Sequence, residues 1–296
     1  MNNEMAYLLG MIYGNGEISN SFGIPRISIE IPHKKIQTED FHDVAIYVKA
    51  SIADIRRILE PLIGTGLDFI QREHSTIISF SKMQEDFLMR EILRYTGNAV
   101  KHDDMRIHTD VFSFVTDQKK MFLRGFSDVT GYIRRSNTYF GEKYKHRIYI
   151  EIPNNWFMVI DICNLLKDLD IPVQNIDWAH PNIRDGNLTK YNQGNINFWK
   201  KEHQIKIYAN EFLPIGFGII HKMQALQTYS DELITGFNAY NKIASEVTHK
   251  FYWEVNGKTR IKPHHPGESD ICLPIQIRNK HYDSWKQIAM ELGYGK

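Results

Sequence analysis

Three clusters of basic side chains have the type and spacing to meet a phosphate-bearing partner: His33-Lys34-Lys35, Arg134-Arg135, and the run Lys143, Lys145, His146, Arg147, each near a predicted strand end. The competing reading of any one cluster is solvated surface charge. Net charge over the chain is only +1, so an anionic partner must be met by the distribution of charge rather than by its sum. Cys163 and Cys272 lack the paired spacing of a structural zinc site and are too few for a disulfide framework, so neither reads as chemistry.

Composition permits a scaffold for these residues. With 42% hydrophobic and 24% charged residues the chain is far from the low-hydrophobicity regime of disorder. Its 296 residues suggest two similar-sized units plus an appendage. There is no basic region ahead of the short apolar start, and no apolar run of about eighteen residues. The expectation is a chain without a membrane span or secretion signal, in a reducing, cytoplasmic compartment.

Two segments echo each other, Tyr7-Leu8-Leu9-Gly10-Met11-Ile12-Tyr13-Gly14-Asn15-Gly16 and Phe122-Leu123-Arg124-Gly125-Phe126-Ser127-Asp128-Val129-Thr130-Gly131, with terminal glycines 115 positions apart. Each reads as a helix with an internal glycine where two backbones could approach, and a final glycine able to leave the helix with positive φ. Alternating stretches follow: Arg26 to Ile31 and Val44 to Lys49 after the first, Arg147 to Ile152 after the second. Next come helices. Ser51, with Asp54 three residues on, can cap Ile52, Ile55, Leu59 and Leu62; Asn154 or Asn155 can cap Trp156 through Leu169, stopped before Pro172. Further strands are expected at Leu67 to Arg72, Thr76 to Ser81, Val173 to Trp178 and Gln204 to Tyr208. Each half then reads helix, two strands, helix, two strands, helix. A long polar loop, Ala179 to Lys201, interrupts the second half. Beyond Val247 a hairpin through Asn256-Gly257 and a short helix with Trp285, Ile288, Ala289 and Leu292 on one face form an extension.

The paired segments and the strands after them resemble the LAGLIDADG endonuclease family over about residues 4 to 245. The resemblance implies an α+β fold of two pseudo-symmetric αββαββα halves forming a saddle on DNA. The expected divisions are 1–110 and 111–246, with an extension at 247–296. It implies that the two motif helices pack through Gly10 and Gly125, that their C-terminal ends meet, and that the sheets place outward side chains in the major groove. Outward candidates are Arg26, Ser28, Glu30 and Lys49 in the first half, and Arg134, Ser136, Lys145, Arg147 and Tyr149 in the second, beside the basic pairs Lys34-Lys35 and Arg134-Arg135. Double-stranded DNA is the expected partner, met by a monomer with internal pseudo-twofold symmetry.

Phosphodiester hydrolysis of the family's type uses Mg²⁺ or another divalent cation held by carboxylates. The resemblance puts the metal-binding acid just before the terminal glycine of each motif, where this chain has Asn15 and Thr130, both without charge. Asp128 and Glu17 are the nearby carboxylates: the resemblance gives Asp128 a structural cap or hydrogen bond as its usual role and, with a remodelled turn, makes it a candidate metal position beside Asn15, while Glu17 reads as the first outward residue of the strand or as a second carboxylate. The family's basic residues around the metals correspond to Lys222 and Gln224 in His221-Lys222-Met223-Gln224. The implied activity is sequence-specific cleavage of duplex DNA, of restriction or homing type, with Asn15 as an inactivating Asp-to-Asn exchange. The alternatives are an asymmetric site using Asp128, and a non-cleaving relative: a DNA-binding regulator or an RNA-splicing maturase.

Overall fold

The computed structural model describes residues 1–39, 41, 43–64, 66–97, 99–135, 146–153, 155–173, 175–180, 202–232, 260–261, 275–277 and 280–282. The chain divides into two compact units, Met1–Arg134 with Phe212–Thr228, and Arg135–Glu211 with Tyr229–Lys296. Both are α+β with antiparallel sheets. No helix among the described residues is long and apolar enough to cross a membrane.

In the first unit, helix α1 (Asn3–Asn15) starts where the Asn2 side chain accepts the Met5 N–H. Every residue from Met5 to Gly14 is buried, because the helix has neighbours all round rather than on one stripe. It hands over at Gly16 to β1 (Gly16–Ser21), which pairs with β2 (Ile24–Pro32). In β2, Ile27, Ile29 and Ile31 are buried while Arg26, Ser28 and Glu30 are half-buried on the other face, the alternation expected of a sheet with one face on the core. The loop between β1 and β2 is Phe22-Gly23, and both residues have positive φ.

After the short α2 (His33–Ile36) comes α3 (Val44–Ile63), then β3 (Asp68–Gln71), β4 (Ser75–Ser81) and α4 (Phe87–Thr96). The sheet order is β1-β2-β4-β3. A brief 3₁₀ turn and α5 (Thr109–Phe112) lead to α6 (Thr116–Thr130) and β5 (Gly131–Arg134).

Two local expectations are corrected by the fold. Val44 to Lys49 is the first part of α3, not a strand, and Lys49 is an exposed helical residue. Asp43, rather than Ser51, caps the helix by accepting the N–H groups of Ala45 and Ile46. The buried residues Tyr47, Val48, Ser51, Ile55 and Leu59 keep a helical period across the supposed boundary. Ser51 lies inside the helix with its hydroxyl donating to the Tyr47 carbonyl at 2.8 Å. The hairpin partner of β2 is Gly16–Ser21 instead, with β4 on its other side.

The terminal glycines of the two motifs also leave their helices in extended conformation, with φ −96° at Gly16 and −98° at Gly131, not with positive φ. Their small size answers a different need. A Cβ at Gly16 would lie 2.5 Å from the Ile12 carbonyl oxygen, and one at Gly131 2.7 Å from that of Ser127, so each chain turns out of its helix against the last helical turn.

In the second unit β6 (Arg147–Pro153), α7 (Trp156–Asp168), β7 (Asn175–His180) and β8 (Glu202–Tyr208) follow the expected order. Asn155 caps α7 by accepting the Met158 N–H at 3.0 Å. The strands run β6-β8-β7-β9, with β9 the dipeptide Arg260–Ile261. Helices α8 (Ala209–Phe212) and α9 (Ile220–Asp231) carry the chain through the segment that returns to the first unit. A small hairpin pairs β10 (Ile275–Ile277) with β11 (Lys280–Tyr282). Most of the long polar loop, the Asn256-Gly257 turn and the helix around Trp285 lie outside the described residues.

Candidate functional site

The site is built on the seam between α1 and α6. A Cβ added at Gly10 would fall on the Phe122 carbonyl oxygen and within 2.8 Å of the Phe126 nitrogen; one at Gly125 would fall on the Tyr7 carbonyl oxygen. The two internal glycines therefore bring backbone against backbone, which no other residue type permits. Toward the helix ends, a Cβ at Gly14 would lie 3.1 Å from the Thr130 methyl group. The C-terminal turns of α1 and α6 are thus held together, with Asn15 and Thr130 at their tips.

The side chains at those tips turn toward main chain. Asn15 is half-buried and its amide N–H donates to the Glu30 carbonyl at 2.6 Å, tying the end of α1 to β2. Thr130 is buried and its hydroxyl donates to the Phe126 carbonyl at 2.7 Å, one turn back in α6. Glu17 is exposed and stands opposite Ser28 in the β1–β2 ladder.

Asp128 lies beneath the seam, fully buried. Its Oδ2 accepts the Tyr7 hydroxyl at 2.6 Å and the Gly218 N–H at 2.8 Å. Gly218 must be small, since a Cβ there would lie 2.7 Å from that same oxygen. Lys222, on α9, has no exposed surface. Its ammonium donates to the Ser127 and Gly131 carbonyls at 3.0 and 2.9 Å and lies 4.1 Å above the Phe217 ring. The cation therefore caps the negative C-terminal end of α6. It stands 3.8 Å from Asp128 Oδ1, beyond hydrogen-bonding range but close enough for direct attraction.

Burial disfavours both charges. It pushes the Asp128 carboxyl above the usual carboxylate range, with Lys222 the strongest opposing influence, and pushes the Lys222 ammonium down to about 8, with Asp128 opposing. Burial and the neighbouring carboxylate raise the Tyr7 phenol well above its ordinary value.

The residues at the helix ends do not suit a hard divalent cation. Asn15 and Thr130 are neutral and already engaged with main-chain carbonyls, and Asp128 is sealed from solvent by Tyr7, Gly218 and Lys222. Among the described residues no group of three or more His, Cys, Asp or Glu side chains is placed to hold a metal ion. Lys222 and Gln224 are not brought together, since Gln224 is exposed.

The outward candidates divide by unit. In the first, Arg26 donates to Ser79 Oγ at 2.6 Å and lies 3.9 Å from Asp68, while Glu30 accepts from Ser75 at 2.5 Å. Ser28 shares their face, and Glu17 adds a further acid, so this face is polar and mixed in charge rather than basic. Lys34 is exposed, but Lys35 is 4% exposed with its ammonium 5.1 Å over the Tyr132 ring, and Arg134 lies over the same ring at 4.7 Å.

In the second unit, Arg135 pairs with Glu232 at 3.1 Å and stacks over Tyr229, and His146 meets the same carboxylate. Arg147 keeps the expected outward register but is only 6% exposed, 5.8 Å from the Tyr208 ring centroid. Tyr149 stands opposite Lys206, whose ammonium lies 5.7 Å from its ring centroid. Ser136 and Lys145 lie outside the described residues. Gln204 and Lys206 were missed as members of the Tyr149 face, although β8 alternates as clearly as β6 and its pattern held that signal. Nothing in sequence marks Tyr7 or Gly218 as partners of Asp128, because a tyrosine in an apolar helix and a loop glycine both read as ordinary packing.

No protein-family model matches the sequence, and no curated protein matches it. Among solved structures the chain is similar to I-DmoI in complex with DNA and Mn, at 13% identity over 75% of this chain and 96% of that one, TM-score 0.38. It is similar to the LAGLIDADG meganuclease I-AabMI bound to uncleaved DNA, at 12% identity over 84% and 95%, TM-score 0.40. It is also similar to full-length DUF199/WhiA from Thermotoga maritima, at 13% identity over 86% and 68%, TM-score 0.41.

Proposed function

We propose that this chain is a double-stranded-DNA-binding protein of LAGLIDADG type that, with the residues it carries, binds without cutting. The observation behind the reading is the glycine seam of α1 and α6, whose joined ends present Asn15 and Thr130 where hydrolysis would need carboxylates. The halves are taken as 1–110 and 111–246 with an extension at 247–296, acting as a monomer whose sheet faces meet the duplex.

Affinity for a mixed-sequence duplex is expected to fall as salt rises, because each phosphate contact releases counterions and lowers log K by about 0.9 per decade of salt. A flat titration removes the DNA reading. Arg26 is half-buried on the sheet face, and Arg26→Ala is expected to lose roughly 1–3 kcal/mol of discrimination at one base pair if it reads a base edge. Selection from a randomised duplex library with wild type and variant measures this directly.

A second reading, a Mg²⁺-dependent endonuclease of restriction or homing type, is favoured by one observation: Asn15 differs from the expected acid only by exchange of one carboxylate oxygen for an NH2 group. Asn15→Asp separates the two. The amide N–H now donates to the Glu30 carbonyl at 2.6 Å, and a carboxylate would set acceptor against acceptor there. The expected result is a loss of about 1–3 kcal/mol in stability and no cleavage of a genomic DNA library with Mg²⁺ or Mn²⁺. Cleavage by the aspartate variant would establish the endonuclease reading in place of the first.

A further inference from the structure

We propose that Phe22 is a base-stacking wedge, its ring entering a base step of duplex DNA bound along the outer face of the first sheet; this rests on the DNA-binding reading above. Ser21 pairs with Ile24, so Phe22 and Gly23 alone close the β1–β2 hairpin, with φ 52° and 79°. Positive φ at both loop positions is the geometry that Asn-Gly satisfies best, and for a bulky side chain it is an outlier. Burial does not compensate, because Phe22 is fully exposed, at 103% of its reference surface. Neither local conformation nor packing among the described residues accounts for phenylalanine at this position, which leaves the ring free for a partner molecule.

The neighbouring residues indicate the chemistry of that partner. Ile24, Arg26, Ser28 and Glu30 alternate along one face of β2, and Ser19 stands opposite Arg26 on β1. Ile24 is 37% exposed, so the apolar tip spans Phe22 and Ile24 and then gives way to the mixed polar face, first Arg26 with Ser19 and Ser28, then the carboxylates of Glu17 and Glu30. Duplex DNA is compatible with this order, since an apolar wedge fits between stacked bases while a guanidinium reaches phosphate or guanine beside it and hydroxyls and carboxylates meet base edges.

The test is equilibrium binding of a fluorescein-labelled mixed-sequence duplex across a salt series, with sedimentation and thermal melting of each variant. Phe22→Ala is expected to weaken binding roughly 5- to 150-fold, the range for loss of one base–aromatic stack, with an unchanged salt slope because no charge is lost. Phe22→Trp retains affinity. Phe22→Asn weakens binding while raising the melting temperature, because Asn-Gly suits the turn. Binding by Phe22→Ala equal to wild type overturns the wedge and leaves the DNA reading standing. A change of oligomeric state in the alanine variant overturns it in favour of a protein contact. Failure of the unmodified chain to bind any duplex defeats the DNA reading, and the wedge with it.

Discussion

Gly10→Leu and Gly125→Leu are each expected to lower stability by more than the ~1–3 kcal/mol typical of overpacking, and to prevent folding of the first unit if that unit is only marginally stable. The usual cost applies when neighbouring side chains can move aside. Here even the first added carbon meets backbone, the Phe122 carbonyl for Gly10 and the Tyr7 carbonyl for Gly125, so the helices themselves must separate. Gly10→Ala should already destabilise, although alanine raises intrinsic helix propensity by roughly 1 kcal/mol. Gly66, where an added Cβ has nothing within 4 Å and φ is not positive, is the control, and Gly66→Ala is expected to stay within about 0.5 kcal/mol of wild type. Urea denaturation of the four variants decides the matter, and an unaltered midpoint for Gly10→Leu would mean that α1 and α6 do not meet.

Lys222→Met is expected to cost roughly 3–5 kcal/mol, the usual result of removing one member of a buried ion pair. Methionine fills much of the volume but leaves Asp128 without its countercharge and the C-terminal carbonyls of α6 without a donor. The loss should be smaller in the double variant Asp128→Asn/Lys222→Met, because asparagine keeps an oxygen for Tyr7 and Gly218 while discarding the charge. Asp128→Asn alone completes the cycle, and a loss in the double variant equal to the sum of the two single losses would show that the two charges do not interact.

The pair also carries a pH signature. The folded chain holds the Lys222 proton only up to about 8, whereas an unfolded lysine holds it to about 10.4. Between those values the unfolded state binds more protons, so this group makes stability rise with pH across that window. Lys222→Met should abolish that component of the slope. Asp128 acts in the opposite sense lower down: its carboxyl is raised in the folded state, so its contribution is present at acid pH and declines as pH rises through its folded pKa. Tyr7, raised as well, begins to oppose Lys222 only above the ordinary phenol range.

Features that depend on neighbours close along the chain are legible in the sequence by itself. The alternation of Ile27, Ile29 and Ile31 with Arg26, Ser28 and Glu30 marks a half-buried strand, and Asn155 marks the start of α7, because strand period and helix capping are local physics. The repeated glycines mark the α1–α6 seam, since a small residue inside an apolar helix has few reasons to be there other than close approach. Val44 to Lys49 misleads for the same local reason. Its β-branched and aromatic residues alternate over a few positions, and only the continuation to Ser51, Ile55 and Leu59 shows the helical period.

The charged residues of the site are a different matter. The resemblance offers Asp128 as a structural hydrogen-bonding residue or a metal position and Lys222 as a basic residue beside the metals, yet both are fully buried, because Phe212–Thr228 returns to pack under the end of α6 and supplies Gly218 and Lys222 together. Desolvation is a property of what surrounds a group, and its surroundings here come from about ninety residues away. The same holds for Asn15, whose amide finds its acceptor on β2, and for Phe22, whose exposure and positive φ exist only once β1 and β2 have paired. Residue type and spacing thus identify the helices and the seam, while tertiary packing decides which polar groups face solvent and which are consumed in holding the seam together.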